Sequence, residues 1–134
     1  MTAELVYLTL RVILAFVQIL LPAAYATRAR GTQWNAGPRD APVAPLTGVG
    51  GRLERAQRNM LETFPLFVAA IVVTLATGTH NWVSITGSAL YFWARLAYVP
   101  LYALGIPYVR SLVWVLAMAG LFLVLLSPLA GRLA

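Results

Sequence analysis

Long apolar runs organise the chain, and the polar residues that punctuate them mark its connections. The first covers residues 4–26 and is interrupted by Arg11, Gln18 and Pro22. The second, 52–77, is polar in its first turns and apolar beyond Pro65, where the missing N–H and fixed φ of proline predict a bend. The third, 82–104, has Arg95 inside it, and the fourth, 111–130, contains no charged residue. Each run is close to the roughly 20 residues that a helix needs to cross a bilayer. The pattern predicts an all-α membrane protein, a four-helix transmembrane bundle forming a single domain over residues 1–134. Residues 28–51 mix Gly, Pro and Asn without sustained periodicity and read as a surface loop, while Gly78–Asn81 and Gly105–Pro107 read as tight turns.

Composition fits this picture, since 60% of residues are hydrophobic and 10% charged where a soluble domain carries about 25% charged. Most of the surface must meet lipid, and no separate soluble catalytic domain has room. The net charge of +6 arises entirely from arginine on the basic side. A nucleic-acid surface mixes Lys with Arg on a solvated face. Arginine in or beside apolar runs points instead to fixed geometry and anion pairing, and no nucleic-acid partner is expected. With no cysteine, disulfides, thiolate metal sites and a cysteine nucleophile are excluded, so any thiol chemistry must use a thiol of the ligand. A single histidine, His80, makes no metal site, and none is expected. The first run lacks a basic flank and outlasts a signal peptide, which makes it a retained helix.

Orientation follows from the arginines in the connections. Arg28, Arg30, Arg39 and Arg52 flank the first and Arg110 the third, whereas the second has only His80. Basic residues are kept on the cytoplasmic side, so the 28–51 loop is expected there and both termini on the opposite side.

The segment Leu53–Phe67 carries the most chemistry. Arg55, Arg58, Asn59 and Glu62 follow i, i+3, i+4, i+7 and form one stripe along a helix. Glu62 lies about ten residues into its span, roughly 15 Å along the axis, where an ionised group costs several kcal/mol unless paired or hydrated. Two arrangements satisfy the stripe. One is an internal ladder of Glu54 with Arg58 and Arg55 with Glu62, with Asn59 bonding a neighbour; the other is a binding surface. In the third span Tyr91, Arg95, Tyr98 and Tyr102 also share a face. In antiparallel packing they reach the cytoplasmic end together with the second-span stripe, and Arg110 and Ser111 open the fourth span on that side. A ligand for this set should be mostly anionic with one cationic point, because arginines outnumber Glu62. Glutathione has two carboxylates for arginine, an ammonium for Glu62, and amides for Asn59 and the tyrosines.

The string Arg55-Ala-Gln-Arg58-Asn59-Met-Leu-Glu62, followed by an apolar stretch with Pro65, resembles the glutathione-binding signature of the membrane-associated proteins in eicosanoid and glutathione metabolism, the MAPEG family. The likeness extends to length, span layout, the long first loop and the Arg95–Ser111 region. It implies a homotrimer that binds glutathione as co-substrate between subunits near the cytoplasmic side, with no metal. By the same resemblance Arg55, Arg58, Asn59, Glu62, Arg95, Tyr98 and Tyr102 hold glutathione, and Arg28 or Arg30 adds a basic contact from the first helix. Arg110 stands at the sulfur with Ser111 beside it, as the catalytic pair. Tyr98 and Trp114 occupy positions where the prostaglandin-synthase branch has histidine and tyrosine. The loop resembles that of bacterial members, which implies the bacterial inner membrane.

The expected function is thus a glutathione-dependent transferase or peroxidase acting on lipophilic electrophiles from the bilayer. The alternative is a non-catalytic lipid-binding or accessory subunit of a larger membrane complex with the same fold. Arg11 is expected to snorkel or pair locally at the non-cytoplasmic side, and His80 to be a solvated turn residue. Gly87 with Ala94 and Ala117 with Gly120 suit close helix packing.

Overall fold

Thr2 sets the first helix in place, its side chain accepting from the Leu5 N–H at 3.5 Å. The computed structural model describes residues 1–133, with side chains to Ala130; Ala134 and the side chain of Arg132 lie outside the described residues. Helix α1 covers Ala3–Arg30 and runs through Pro22. It ends at Gly31, whose φ of 89° lies where only glycine sits without strain. Arg28 and Arg30 therefore belong to the last helical turn rather than to the connection, because nothing before Gly31 breaks the helix. The connection expected as loop contains a short helix, α2, Thr32–Ala36. Helix α3, Gly48–Ala76, starts earlier than its apolar run and is continuous through Pro65.

Asn81 caps α4, Trp82–Ala103, by accepting from the N–H groups of Val83 and Ser84, while Ser84 Oγ accepts from the Asn81 N–H. Helix α5, Val109–Leu133, takes Arg110 and Ser111 into its first turn. All regular structure among the described residues is helical. Three helices, α1, α3 and α5, are long and apolar enough to cross a membrane. Helix α4, expected as a fourth span, is not among them: its 22 residues suffice in length, but Ser84, Thr86, Ser88, Arg95 and its tyrosines dilute its apolar content.

Phe67, Ile71, Tyr91, Ala117, Leu121 and Val124 form a core among α3, α4 and α5, and Leu14, Leu53, Phe92 and Val99 join α1 to α3 and α4. Helices α4 and α5 approach most closely at Gly87 and Gly120, where a Cβ on either would stand 2.7 Å from the carbonyl oxygen of the other. The expected small-residue packing is present, paired across the two helices.

A polar seam crosses this core. Ser84, Ser88, Tyr91, Arg95 and Tyr98 are buried along one face of α4, spaced alternately four and three apart. Opposite them α1 buries Glu4, Arg11 and Gln18, seven residues apart. Arg11 does not snorkel: it is 0% exposed, and its guanidinium lies over the rings of Phe64 at 5.0 Å and Tyr91 at 6.0 Å. His80 is exposed in the turn, as expected, and in addition its Nδ1 lies 3.6 Å from Glu4 Oε1. The outer faces expose Ile13, Phe16 and Leu20 of α1 and Leu112, Phe122 and Leu129 of α5. Large apolar side chains outside and polar ones inside are the distribution of an integral membrane protein.

Candidate functional site

One face of α3 carries the charge. Helical spacing puts Arg55, Arg58 and Glu62 on the outside of the single chain, with Asn59 at the boundary and Thr63 inside. The two ion pairs of the internal ladder are absent, since the one salt bridge among the described residues is His80 with Glu4, while Asn59 does bond a neighbour. The stripe is thus free to meet something other than its own helix.

Asn59 links that stripe to the interior. Its Oδ1 accepts from Arg95 Nη1 at 2.6 Å, and Arg95 Nη2 donates to Thr63 Oγ1 at 2.5 Å. Thr63 in turn shares a hydrogen bond of 3.2 Å with the Tyr91 hydroxyl. Arg95, 1% exposed, lies over the rings of Tyr91 at 5.6 Å and Tyr98 at 5.3 Å. These contacts fix the guanidinium and hold α3 against α4. Arg52 adds a clamp near the end of both helices, donating from Nε to the Ala103 carbonyl at 2.7 Å.

Beyond Arg95 a cavity of about 190 Å³ opens, lined by Asn59, Tyr98, Tyr102, Arg110, Ser111 and Trp114. Tyr98 and Tyr102 meet edge to face at 5.3 Å, and the Arg110 guanidinium stands 4.5 Å over the Tyr102 ring. That stacking positions a cation at the start of α5, where backbone N–H groups lack helical acceptors and also favour an anion. The Trp114 indole N–H is buried without a partner and is a further donor. The chemistry available is binding of an anionic or sulfur-bearing group between a fixed cation, two phenols and a hydroxyl.

Of the residues singled out by sequence, Asn59, Tyr98, Tyr102, Arg110 and Ser111 meet in this cavity and Arg95 braces it. Arg55, Arg58 and Glu62 lie on the exposed face beside it. Arg28 and Arg30 sit elsewhere in the single chain. Arg30 donates to the Ala44 carbonyl at 3.1 Å and stacks on Trp34 at 4.6 Å, while Arg28 lines a separate depression with Ala24 and Tyr25. A larger cavity of about 430 Å³ lies between α1 and the connection, but Arg30 is its one charged residue. The smaller cavity concentrates the donors and is the better site. Sequence reasoning missed Thr63, whose place one turn after Asn59 on the same face was the available signal, and the donor role of Trp114.

Fold and site define an integral membrane protein, a helical bundle with a cation-bearing polar pocket at one end. The chain belongs to the MAPEG family, whose family model matches residues 7–130, nearly its whole length. That membrane family includes glutathione transferases and peroxidases. No curated protein and no solved structure matches the chain.

Proposed function

We propose that the protein is a membrane-embedded glutathione-dependent transferase or peroxidase that acts on lipophilic electrophiles arriving from the bilayer. The observation that carries this reading is the cavity in which Arg110, Ser111, Tyr98, Tyr102 and Asn59 converge beside an α3 stripe without internal ion pairs. Family membership agrees with it. Arg110 and Ser111 are the catalytic pair: the guanidinium stabilises the glutathione thiolate, and the hydroxyl donates to it or to the developing anion. A free thiol has a pKa of about 8.5, so a nearby cation raises its reactive fraction at neutral pH. The thiol proton leaves to solvent. The thiolate sulfur then bonds to the electrophilic atom, and the displaced electron pair goes to the leaving group or is protonated. In the peroxidase case sulfur takes the terminal peroxide oxygen, the alcohol leaves, and a second glutathione displaces water from the resulting sulfenic acid to give the disulfide.

The assembly in this proposal is a homotrimer of four-span subunits. Charges facing hydrocarbon cost several kcal/mol, so the exposed Arg55, Arg58 and Glu62 call for a neighbouring chain and a bound ligand. Arg28 or Arg30 then reaches glutathione from the adjoining subunit. The seam that makes α4 less apolar is buried, which lets α4 span beside the other helices. The charge distribution supports a cytoplasmic first connection with both termini outside, and the resemblance of the first connection to that of bacterial members supports a bacterial inner membrane.

Glutathione titrated into purified protein tests the reading by calorimetry at millimolar concentration. Charge-assisted contacts contribute about 1.5–3 kcal/mol each, so Arg58→Ala and Glu62→Ala should weaken binding roughly ten- to a hundredfold while the oligomer stays intact. Parental affinity in both variants would make the stripe structural and remove the main support.

A further inference from the structure

Arg11 is the one buried guanidinium for which the fold supplies no hydrogen bond: Nε, Nη1 and Nη2 are all without partners, although the residue is 0% exposed. Arg95, also buried, keeps its own Nε unpartnered. Both cations lie within 6.0 Å of the centroid of the same Tyr91 ring. The described interior thus holds two buried arginines and a single buried carboxylate, Glu4. Glu4 sits seven residues from Arg11 along α1 and is engaged by Ser84 Oγ at 2.5 Å and His80 at 3.6 Å. Glu62, on the outer face of α3, offsets part of the charge on Arg95, but no carboxylate among the described residues pairs with Arg11.

Two like charges in a medium of low dielectric repel strongly, and unmade hydrogen bonds on a buried cation add a penalty. Water could fill the donors but not balance the charge. An anion does both. We infer that α1, α3 and α4 enclose a binding site for a small inorganic anion of halide size, held by Arg11 from one side and by the free Nε edge of Arg95 from the other. The Thr63 hydroxyl accepts from Arg95 and shares a 3.2 Å bond with the Tyr91 hydroxyl; when Thr63 is the donor in that bond, the Tyr91 hydrogen is left to complete the shell. Phe64 crowds Arg11 at 5.0 Å and Phe67 covers Tyr91 at 4.1 Å, which favours a monatomic anion over an organic acid. Arg95 also braces the cavity proposed for glutathione beyond Tyr98, but Arg11 takes no part in that cavity, and the anion site stands whether or not the proposed activity does.

Thermal unfolding of the purified full chain in sodium chloride, against sodium gluconate at equal ionic strength, reads the site directly. A bound anion stabilises the folded state by mass action, and Tm is expected to rise by about 5 °C at saturating chloride. Bromide should substitute. Arg11→Met should abolish the chloride dependence, and Arg11→Lys should retain it. Arg110→Ala should also retain it, because its cavity is separate. If Arg11→Met does not fold, broadening of the chloride-35 resonance by wild type and by Arg11→Lys, with none added by denatured protein, carries the same decision. The inference is overturned by a Tm indifferent to chloride, by an undiminished response in Arg11→Met, or by loss of the response in Arg110→Ala, which would place the anion in the thiol pocket.

Discussion

Gly120→Ala adds one methyl group where α5 crosses α4, and the surroundings cannot yield cheaply. The new Cβ would lie 2.6 Å from the Tyr91 backbone nitrogen, 2.7 Å from the Gly87 carbonyl oxygen and 3.2 Å from the Leu90 carbonyl carbon. All three are main-chain atoms of α4, so no side chain can rotate away and the helices must part. Overpacking by one or two carbons typically costs about 1–3 kcal/mol, and contact with an inflexible backbone puts this variant at the upper end, about 3 kcal/mol. The matched control, Ala119→Val, enlarges an exposed neighbour on the same helix and should change stability little. Unfolding in mixed micelles with rising SDS measures both. Helices α4 and α5 also carry Tyr98, Tyr102, Arg110 and Ser111, so a wider crossing should loosen the cavity and lower glutathione affinity with it. Parental stability and affinity in Gly120→Ala would refute the claim that backbone contact at this crossing sets the pocket.

Asn59→Ala removes the acceptor of a 2.6 Å bond from buried Arg95; leaving that donor unmatched should cost about 1.5–3 kcal/mol, measured by unfolding, whereas Asn59→Asp should restore most of it. Arg110→Ala should abolish the ultraviolet band of bound glutathione thiolate at neutral pH and slow conjugation while binding persists, and an unchanged band would move the thiolate away from Arg110. The chain has no cysteine, so single cysteines at Thr47 and Thr79 can be labelled cleanly. Thr47→Cys should react only when the inner face is exposed and Thr79→Cys from outside, and the reverse would invert the assigned topology.

How legible these features were depended on whether they are local. The stripe of Arg55, Arg58, Asn59 and Glu62 follows from helical periodicity alone, and so does the shared face of Tyr91, Arg95, Tyr98 and Tyr102. The start of α4 at Trp82 was legible, because Asn81 caps it by contacts two and three residues away. Helix ends were less legible: α1 runs on to Arg30 because helical bonding continues past the apolar run until glycine intervenes. Arg11 failed differently. Its seven-residue offset from Glu4 was visible, but whether that face meets headgroups or Tyr91 is decided by a helix some eighty residues away. Thr63 was hidden for the same reason, since its partners Arg95 and Tyr91 are distant in sequence.

The burial of Glu4 constrains how such a chain can be made. Its carboxylate reaches its partner Ser84 across 80 residues of sequence. At synthesis rates of about 5–20 residues per second, α1 therefore precedes α4 by roughly 4–16 seconds. Throughout that interval Glu4, Arg11 and Gln18 lie along one side of a helix that has nowhere in hydrocarbon to hide them. Helix α1 is apolar enough to cross alone, yet its polar side stays uncovered. It must wait beside the insertion machinery, or with that side turned to water, until α3 and α4 come to receive it, and maturation is paced by the slowest of these arrivals. Damage to Ser84 or His80 would then show first as a chain degraded during biogenesis, before any finished molecule could be assayed.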